Sequence, residues 1–298
     1  MSERDTYPPG VPCWVAAFEP EPDGLVGFYR ELFGWETEDV LPPDSPGSHF
    51  LCRLRGRDVA AVVSQDGVSP RSVPMWATYI SVESADDTAR RVIDAGGSVV
   101  GAPFDSPPGG ARVAVLADPA GAVFCVWQPG ERQGAHLVNE PGAWSMSQLN
   151  TADPEGAKAF YGAVFGWATD TFDAGEAEIT LWRVPGYVGG EPEQPVARDV
   201  VGAMVPMSGD QQDNPPAHWS VDFWVDDVDA VVERAFHRGG RVVMPPVDSP
   251  IGTTAFLADP QGAAFSVSKV GRGRFNSSAV DLTLGRSGCR RAGPRSPA

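Results

Sequence analysis

Residues Phe28–Glu36 read "FYRELFGWE" and residues Phe160–Ala168 read "FYGAVFGWA". Two copies of so aromatic a phrase in one chain point to an internal repeat, and the rest of the sequence supplies it. Trp76 falls in step with Trp219, Val82 with Val225, and Gly96-Gly97 with Gly239-Gly240. "DSP" from Asp105 matches "DSP" from Asp248, and "LADPAGAVF" from Leu116 matches "LADPQGAAF" from Leu257. The 298 residues therefore divide into two copies of one domain, the number that length alone also suggests. The second copy is longer, and its excess falls in the loop-like "PGYVGGEPEQPVARD" from Pro185 to Asp199.

Within the first copy, "CWVAAFE" reads as a strand, and "PDGLVGFYRELFG" as the helix that follows it. Leu25, Phe28, Tyr29, Leu32 and Phe33 share one face at helical spacing, and Gly34 supplies the stop. In the second copy Asp153 can cap the helix, Pro154 suits its first turn and Gly166 ends it. The repeated phrase is first of all a helix face that packs on a sheet. "HFLCRLRG" and "RDVAAVVS" follow as strands across a glycine turn. "MWATYISVE" opens a second unit of the same kind, with a helix capped by Ser84, and "ARVAVLAD" and "AVFCVWQ" close it through "DPAG". Each copy thus contains two βαβββ modules, an α+β architecture in which paired modules curl into a cleft. The expected boundaries are 11–130 for the first domain, 131–142 for a linker and 143–270 for the second domain. An Arg-, Gly- and Ser-rich tail, 271–298, is expected to be disordered.

The formal net charge of −16 opposes binding to nucleic acid or to anionic membranes and favours cationic or neutral ligands. Cys13, Cys52, Cys125 and Cys289 form no CxxC pair and stand at no zinc spacing from a histidine. They read as reduced thiols of a cytoplasmic protein. "MSERDTYPPG" has no signal-peptide pattern, and no apolar run is long enough to span a bilayer. No GxSxG, phosphate-binding loop or dinucleotide fingerprint is present.

Paired βαβββ modules, "FYxxxFGW" after the first strand and "DPxGxxF" before the last resemble the vicinal oxygen chelate superfamily. That superfamily includes glyoxalase I, extradiol dioxygenases and bleomycin-resistance proteins. The tandem form, joined at "GAHLVNEPGAW", is similar to two-domain actinobacterial members, including auxiliary proteins of antibiotic pathways such as those for anthracyclines. The resemblance implies a cleft per domain and, in the enzymes, a metal held by His, Gln or Glu at fixed strand positions. Those positions here read Trp14, Ala61, Ala77 and Cys125 in the first copy. In the second they read Met146 or Trp144, Ala203, Ser220 and Ser266. None is His, Glu or Asp, so no metal and no other cofactor is expected. Of the histidines, His49 and His136 stand apart, His237 falls in the last turn of a helix and His218 sits at a strand start.

The same register turns Tyr79, Ser220, Asp222 and Trp224 toward the clefts. Asp222 is the most informative of these. A carboxylate among tryptophans is costly unless paired, so it can hold a ligand cation or act as a general base. Tyr79 stands at the matching position of the first copy as a hydrogen-bond donor or acid. Trp14, Trp76, Trp144 and Trp219 are further candidates, since indoles stack on flat aromatic or cationic ligands. Gln148 and His218 complete the expected ligand-binding set. The leading reading is metal-independent sequestration of a bulky aromatic natural product, cationic where the acidic chain selects it, in resistance or antibiotic biosynthesis. The alternatives are a cofactor-free tailoring enzyme using Asp222 or Tyr79 as acid/base, and a metal-dependent glyoxalase or dioxygenase. The expected partner is a small aromatic molecule, with no nucleic acid or membrane, and the chain acts as a two-domain monomer or a homodimer.

Overall fold

The computed structural model describes residues 2–65, 73–106, 110–173, 178–189, 197–207, 216–249 and 252–270. The tail 271–298, Cys289 and much of the Pro185–Asp199 excess lie outside them. In chain order the strands of the first copy are β1 (Ser2–Glu3), β2 (Pro12–Glu19), β3 (Glu36–Asp39), β4 (His49–Leu54), β5 (Arg57–Ser64), β6 (Met75–Ser81), β7 (Ser98–Ser106), β8 (Ala111–Ala117) and β9 (Val123–Gln128). Those that follow are β10 (Leu137–Val138), β11 (Trp144–Thr151), β12 (Ala168–Asp173), β13 (Glu178–Arg183), β14 (Val200–Pro206), β15 (His218–Trp224), β16 (Arg241–Ser249), β17 (Gly252–Ala258) and β18 (Ala264–Val270). The α-helices are α1 (Val26–Phe33), α2 (Ala85–Asp94), α3 (Pro154–Phe165) and α4 (Val228–His237).

Each copy makes one eight-stranded mixed sheet, in the order β3-β4-β5-β2-β6-β9-β8-β7 and β12-β13-β14-β11-β15-β18-β17-β16. The two modules of a copy meet at an antiparallel central pair, β2 with β6 and β11 with β15. The helix signals act as expected. Gly34 and Gly166 end α1 and α3 in the left-handed region at φ 75° and 71°. Asp153 Oδ1 accepts from Gly156 N at 2.9 Å and Ser84 Oγ from Asp87 N at 3.2 Å.

Strand β2 is buried along nearly its whole length, because both faces of the sheet are covered. One face lines a cleft. The other packs on the second copy, with α1 beside α4 and α2 beside α3. Here the aromatic phrase of each helix crosses between the copies. Tyr29 Oη donates to Asp259 Oδ2 at 2.7 Å and accepts from Trp76 Nε1 at 3.1 Å. By pseudosymmetry Tyr161 Oη donates to Asp118 Oδ2 at 3.2 Å and accepts from Trp219 Nε1 at 2.8 Å. Trp35 Nε1 donates to Gly142 O at 2.7 Å, and Trp167 Nε1 to Gly10 O at 2.8 Å. The repeated glycines leave room for this contact. A Cβ on Gly97 would lie 2.9 Å from Phe160 Cε2, and one on Gly240 2.9 Å from Phe28 Cε2. At the centre Thr78 Oγ1 and Ser147 Oγ are hydrogen-bonded at 2.6 Å. Each hydrophobic core consequently draws on both copies: Phe33 with Phe223, and Phe124 with Tyr161.

Residues 131–142, expected as a plain linker, contain a strand. β10 pairs with β1, and Tyr7 Oη donates to Ala135 O at 2.6 Å. The segment is short and lacks any alternation that sequence alone could read as a strand. No helix among the described residues is long and apolar enough to cross a membrane.

Candidate functional site

The concave face of each sheet forms a cleft. The cleft of the second copy encloses about 270 Å³, close to the lower end of the ~300–1,000 Å³ usual for small-molecule sites. That of the first encloses about 190 Å³.

The second cleft is built around Asp222. Strand β15 presents Ser220, Asp222 and Trp224 to it by alternation, as the sequence register expects. The carboxylate is held by three hydroxyls. Ser145 Oγ donates to Oδ2 at 2.6 Å, Ser268 Oγ to Oδ2 at 2.5 Å and Ser266 Oγ to Oδ1 at 2.7 Å. A bulge between Trp144 and Met146 sets Ser145 against Asp222. Burial raises the Asp222 carboxyl above its ordinary value, and the hydroxyls of Ser145, Ser268 and Ser266 pull it back. Among the described residues Asp222 has no ion-pair partner. Beside it Gln148 Nε2 donates to Asn150 Oδ1 at 2.9 Å and Asn150 Nδ2 to Ser220 Oγ at 3.2 Å. Trp144, Met146, Leu181, Tyr187 and Phe256 supply apolar surface. Tyr7 and Val11, from the first copy's own N-terminal segment, reach the rim.

The first cleft has the same frame and opposite chemistry. Asp222 is answered by Tyr79, Ser266 by Cys125 and Ser268 by Trp127, so a carboxylate with its serines becomes a cluster of rings and a thiol. Tyr79 and Trp127 meet edge to face at 5.8 Å, and Trp14 lies 6.2 Å from Trp127. Arg132 covers Trp14 at 5.3 Å and pairs with Asp58 Oδ2 at 2.7 Å. Burial, with Arg132 nearby, pushes His49 down to about 4, so it is neutral at pH 7. Burial pushes the Cys125 thiol up to about 12, which removes it as a nucleophile.

Of the residues singled out from sequence, Trp144, Gln148, Ser220, Asp222 and Trp224 line the second cleft, and Trp14 and Tyr79 the first. Trp76 and Trp219 do not line either. They project from the opposite face of the sheet and donate to Tyr29 and Tyr161 between the copies, which corrects the expected placement. His218 is exposed at the start of β15, its Nδ1 2.9 Å from Pro216 O, and lies outside the cleft. Ser145 and Ser268 were not singled out. Their signal was the alternating polarity of "SMSQ" and "FSVSK", where the first copy has "CWVA" and "FCVWQ".

A divalent metal does not fit these donors. Among the described residues no three of His, Cys, Asp and Glu come together. The second cleft offers one carboxylate, already engaged by three hydroxyls, and the amide of Gln148. The first offers the neutral His49 without an acidic companion on the cleft floor.

Two copies of this fold, each with a cleft between paired modules, define a glyoxalase-like protein of the vicinal oxygen chelate superfamily. The glyoxalase-like domain family matches residues 14–127 and again 132–268, and the chain belongs to it. It is 35% identical over 279 residues to the anthracycline biosynthesis protein DauV of Streptomyces sp. (strain C5), covering 88% of this chain and 94% of that one. It is 34% identical over 285 residues to the anthracycline biosynthesis protein DnrV of Streptomyces peucetius, covering 90% and 96%. Among solved structures, the Mn(II)-bound glyoxalase from Novosphingobium aromaticivorans shares the fold at a TM-score of 0.58 and 17% identity, over 90% of this chain and 84% of that one.

Proposed function

We propose that the chain binds an aromatic amine in the cleft of the second copy, without a metal, as an auxiliary protein of antibiotic biosynthesis or self-protection. The observation that carries this is Asp222, a carboxylate set in the cleft by three serine hydroxyls, with no ion-pair partner among the described residues. A fixed negative charge of this kind is costly unless a ligand cation meets it. The walls of Trp144, Trp224 and Phe256 suit a flat ring system. The similarity to proteins named for anthracycline biosynthesis supports an aminosugar-bearing aromatic polyketide as the ligand class. Removal of such a compound by binding would protect its producer or draw a biosynthetic step forward by mass action.

The test is calorimetric titration with an aminosugar-bearing anthracycline and with its neutral aglycone. The expected result is one site per chain, because the first cleft is smaller and has Tyr79 where the second has Asp222, and weaker binding of the aglycone. Equal affinity for the two, or no binding of either, refutes the reading. The raised carboxyl of Asp222 favours a second reading, general-base catalysis on the bound compound. Mass-spectrometric analysis of the ligand after prolonged incubation separates them: unchanged ligand leaves binding alone, and a product that Asp222→Asn abolishes supports catalysis.

A further inference from the structure

Two indole N–H groups are buried without an acceptor among the described residues, those of Trp144 and Trp182. They differ in where they lie. Trp182 packs between Tyr161 and Trp167, away from both clefts. Trp144 is 5% exposed and lines the second cleft. It is also the residue directly before Ser145, whose hydroxyl holds Asp222, on the bulge that shapes this side of the cleft. Polar side chains beside it are engaged with one another: Ser145 with Asp222, and Gln148 with Asn150. A buried donor that stays unmatched is unfavourable, and a ligand oxygen that meets it recovers the loss.

We propose that Trp144 is a specificity residue, whose Nε1–H donates to a carbonyl or quinone oxygen of the ligand while Asp222 takes the ammonium. This rests on the binding reading above and narrows it: the preferred ligand is an aromatic amine that also carries an acceptor oxygen. A hydrocarbon amine of the same shape satisfies Asp222 and leaves the indole unmatched. Selectivity of this kind differs from general hydrophobicity, because the polar compound of a matched pair binds more tightly.

The experiment titrates the intact chain by calorimetry with aminomethyl-anthraquinone and aminomethyl-anthracene, each in its 1- and 2-substituted form. The pairs share shape, ring count and charge and differ in the quinone oxygens. In the wild-type protein at least one quinone isomer is expected to bind about tenfold more tightly than its anthracene partner, the effect of about one well-placed hydrogen bond. Trp144→Phe keeps an aromatic ring and removes the donor, so it should abolish the preference, read as the ratio within each pair and not as either affinity alone. Asp222→Asn should weaken both members of a pair and keep their ratio. A wild-type ratio near one for both isomers, or a preference that survives in Trp144→Phe, overturns the role of Trp144 and leaves the cation site standing. Failure of all four amines to bind the wild-type protein overturns both. The wild-type ratio needs no variant, so the inference stays testable even if Trp144→Phe folds poorly.

Discussion

Asp222→Asn separates the two tasks a buried carboxylate can have, holding the fold or holding a ligand. In the free protein three hydroxyls donate to it, at 2.5 to 2.7 Å, and no cation among the described residues pairs with it. Burial raises its pKa above the ordinary 3.8. A carboxyl whose folded pKa is raised contributes stability below its unfolded pKa and loses it as pH rises through the folded value. Above its folded pKa the ionised Asp222 is therefore a burden on the free protein. Asparagine keeps the shape, retains an acceptor for one or two of the serines and needs only a hydroxyl rotation to meet its own N–H. The expected melting temperature of Asp222→Asn at pH 7 is equal to or above that of the wild type.

Ligand affinity should move the other way. A hydrogen bond between an ammonium and a carboxylate contributes about 1.5–3 kcal/mol net. At 1.4 kcal/mol per decade, its loss weakens an aromatic amine by about 10- to 150-fold. Affinity of the wild type should rise with pH through the Asp222 pKa, where the carboxylate forms, and the variant should lose that dependence. Calorimetry at several pH values, with thermal melts on the same samples, reads both quantities. A variant that melts well below the wild type while binding the amine unchanged would refute the reasoning, since Asp222 would then be structural.

Tyr29→Phe and Tyr161→Phe each strip an interdomain carboxylate of a donor and leave an indole N–H unmatched, so each should cost about 1–3 kcal/mol in urea denaturation, with ligand affinity at the distant cleft unchanged. Glu19 is buried beside Asp259, and burial followed by the Asp259 charge pushes it up to about 9 from 4.5. Its contribution is fully present below pH 4.5 and is lost as pH rises toward 9, so Glu19→Gln should be the more stable protein at pH 8, with a gap to wild type that widens from pH 6 upward in melts. Gly97→Ala would place a methyl 2.5 Å from Ala117 O and 2.9 Å from Phe160, and should cost about 1–3 kcal/mol by overpacking the contact between copies. An unchanged denaturation midpoint would show that the interface yields.

The fold was legible because the repeat states it twice. Gly34, Gly166, Ser84 and Asp153 act locally, and the alternation of "VDFW" fixes which residues of β15 face inward. What stayed hidden depends on contacts across the duplication. Tyr29 and Trp76 read as ordinary core or cleft aromatics, because nothing local shows that Asp259 lies opposite. The signal existed in weak form: Tyr29 recurs as Tyr161 in one repeated phrase and Asp118 as Asp259 in the other, and a repeated polar group in an apolar run suggests a repeated partner. Asp222 was legible for the same reason inverted, since it breaks the match with Tyr79. Its three serines were not, because Ser145 reaches it through a bulge and Ser266 and Ser268 come from another strand.

The two copies share one frame and differ in the chemistry of their clefts. Both keep the interdomain residues, Tyr29 and Tyr161, Asp118 and Asp259, Gly97 and Gly240, in matched roles. They differ on the concave faces. There the first copy has Trp14, Tyr79 and Trp127, whose rings contact one another, where the second has Met146, Asp222 and Ser268. The second has a carboxylate with its hydroxyl donors and a larger cavity. Cores that draw on both copies make the first a structural partner of the second: α1 packs against β15 and β18, the strands that carry Asp222, Ser266 and Ser268. The N-terminal segment of the first copy also reaches the rim of the second cleft through Tyr7 and Val11. The first copy thus buttresses the second cleft, where hydroxyls on strands packed against it hold the Asp222 carboxylate in place.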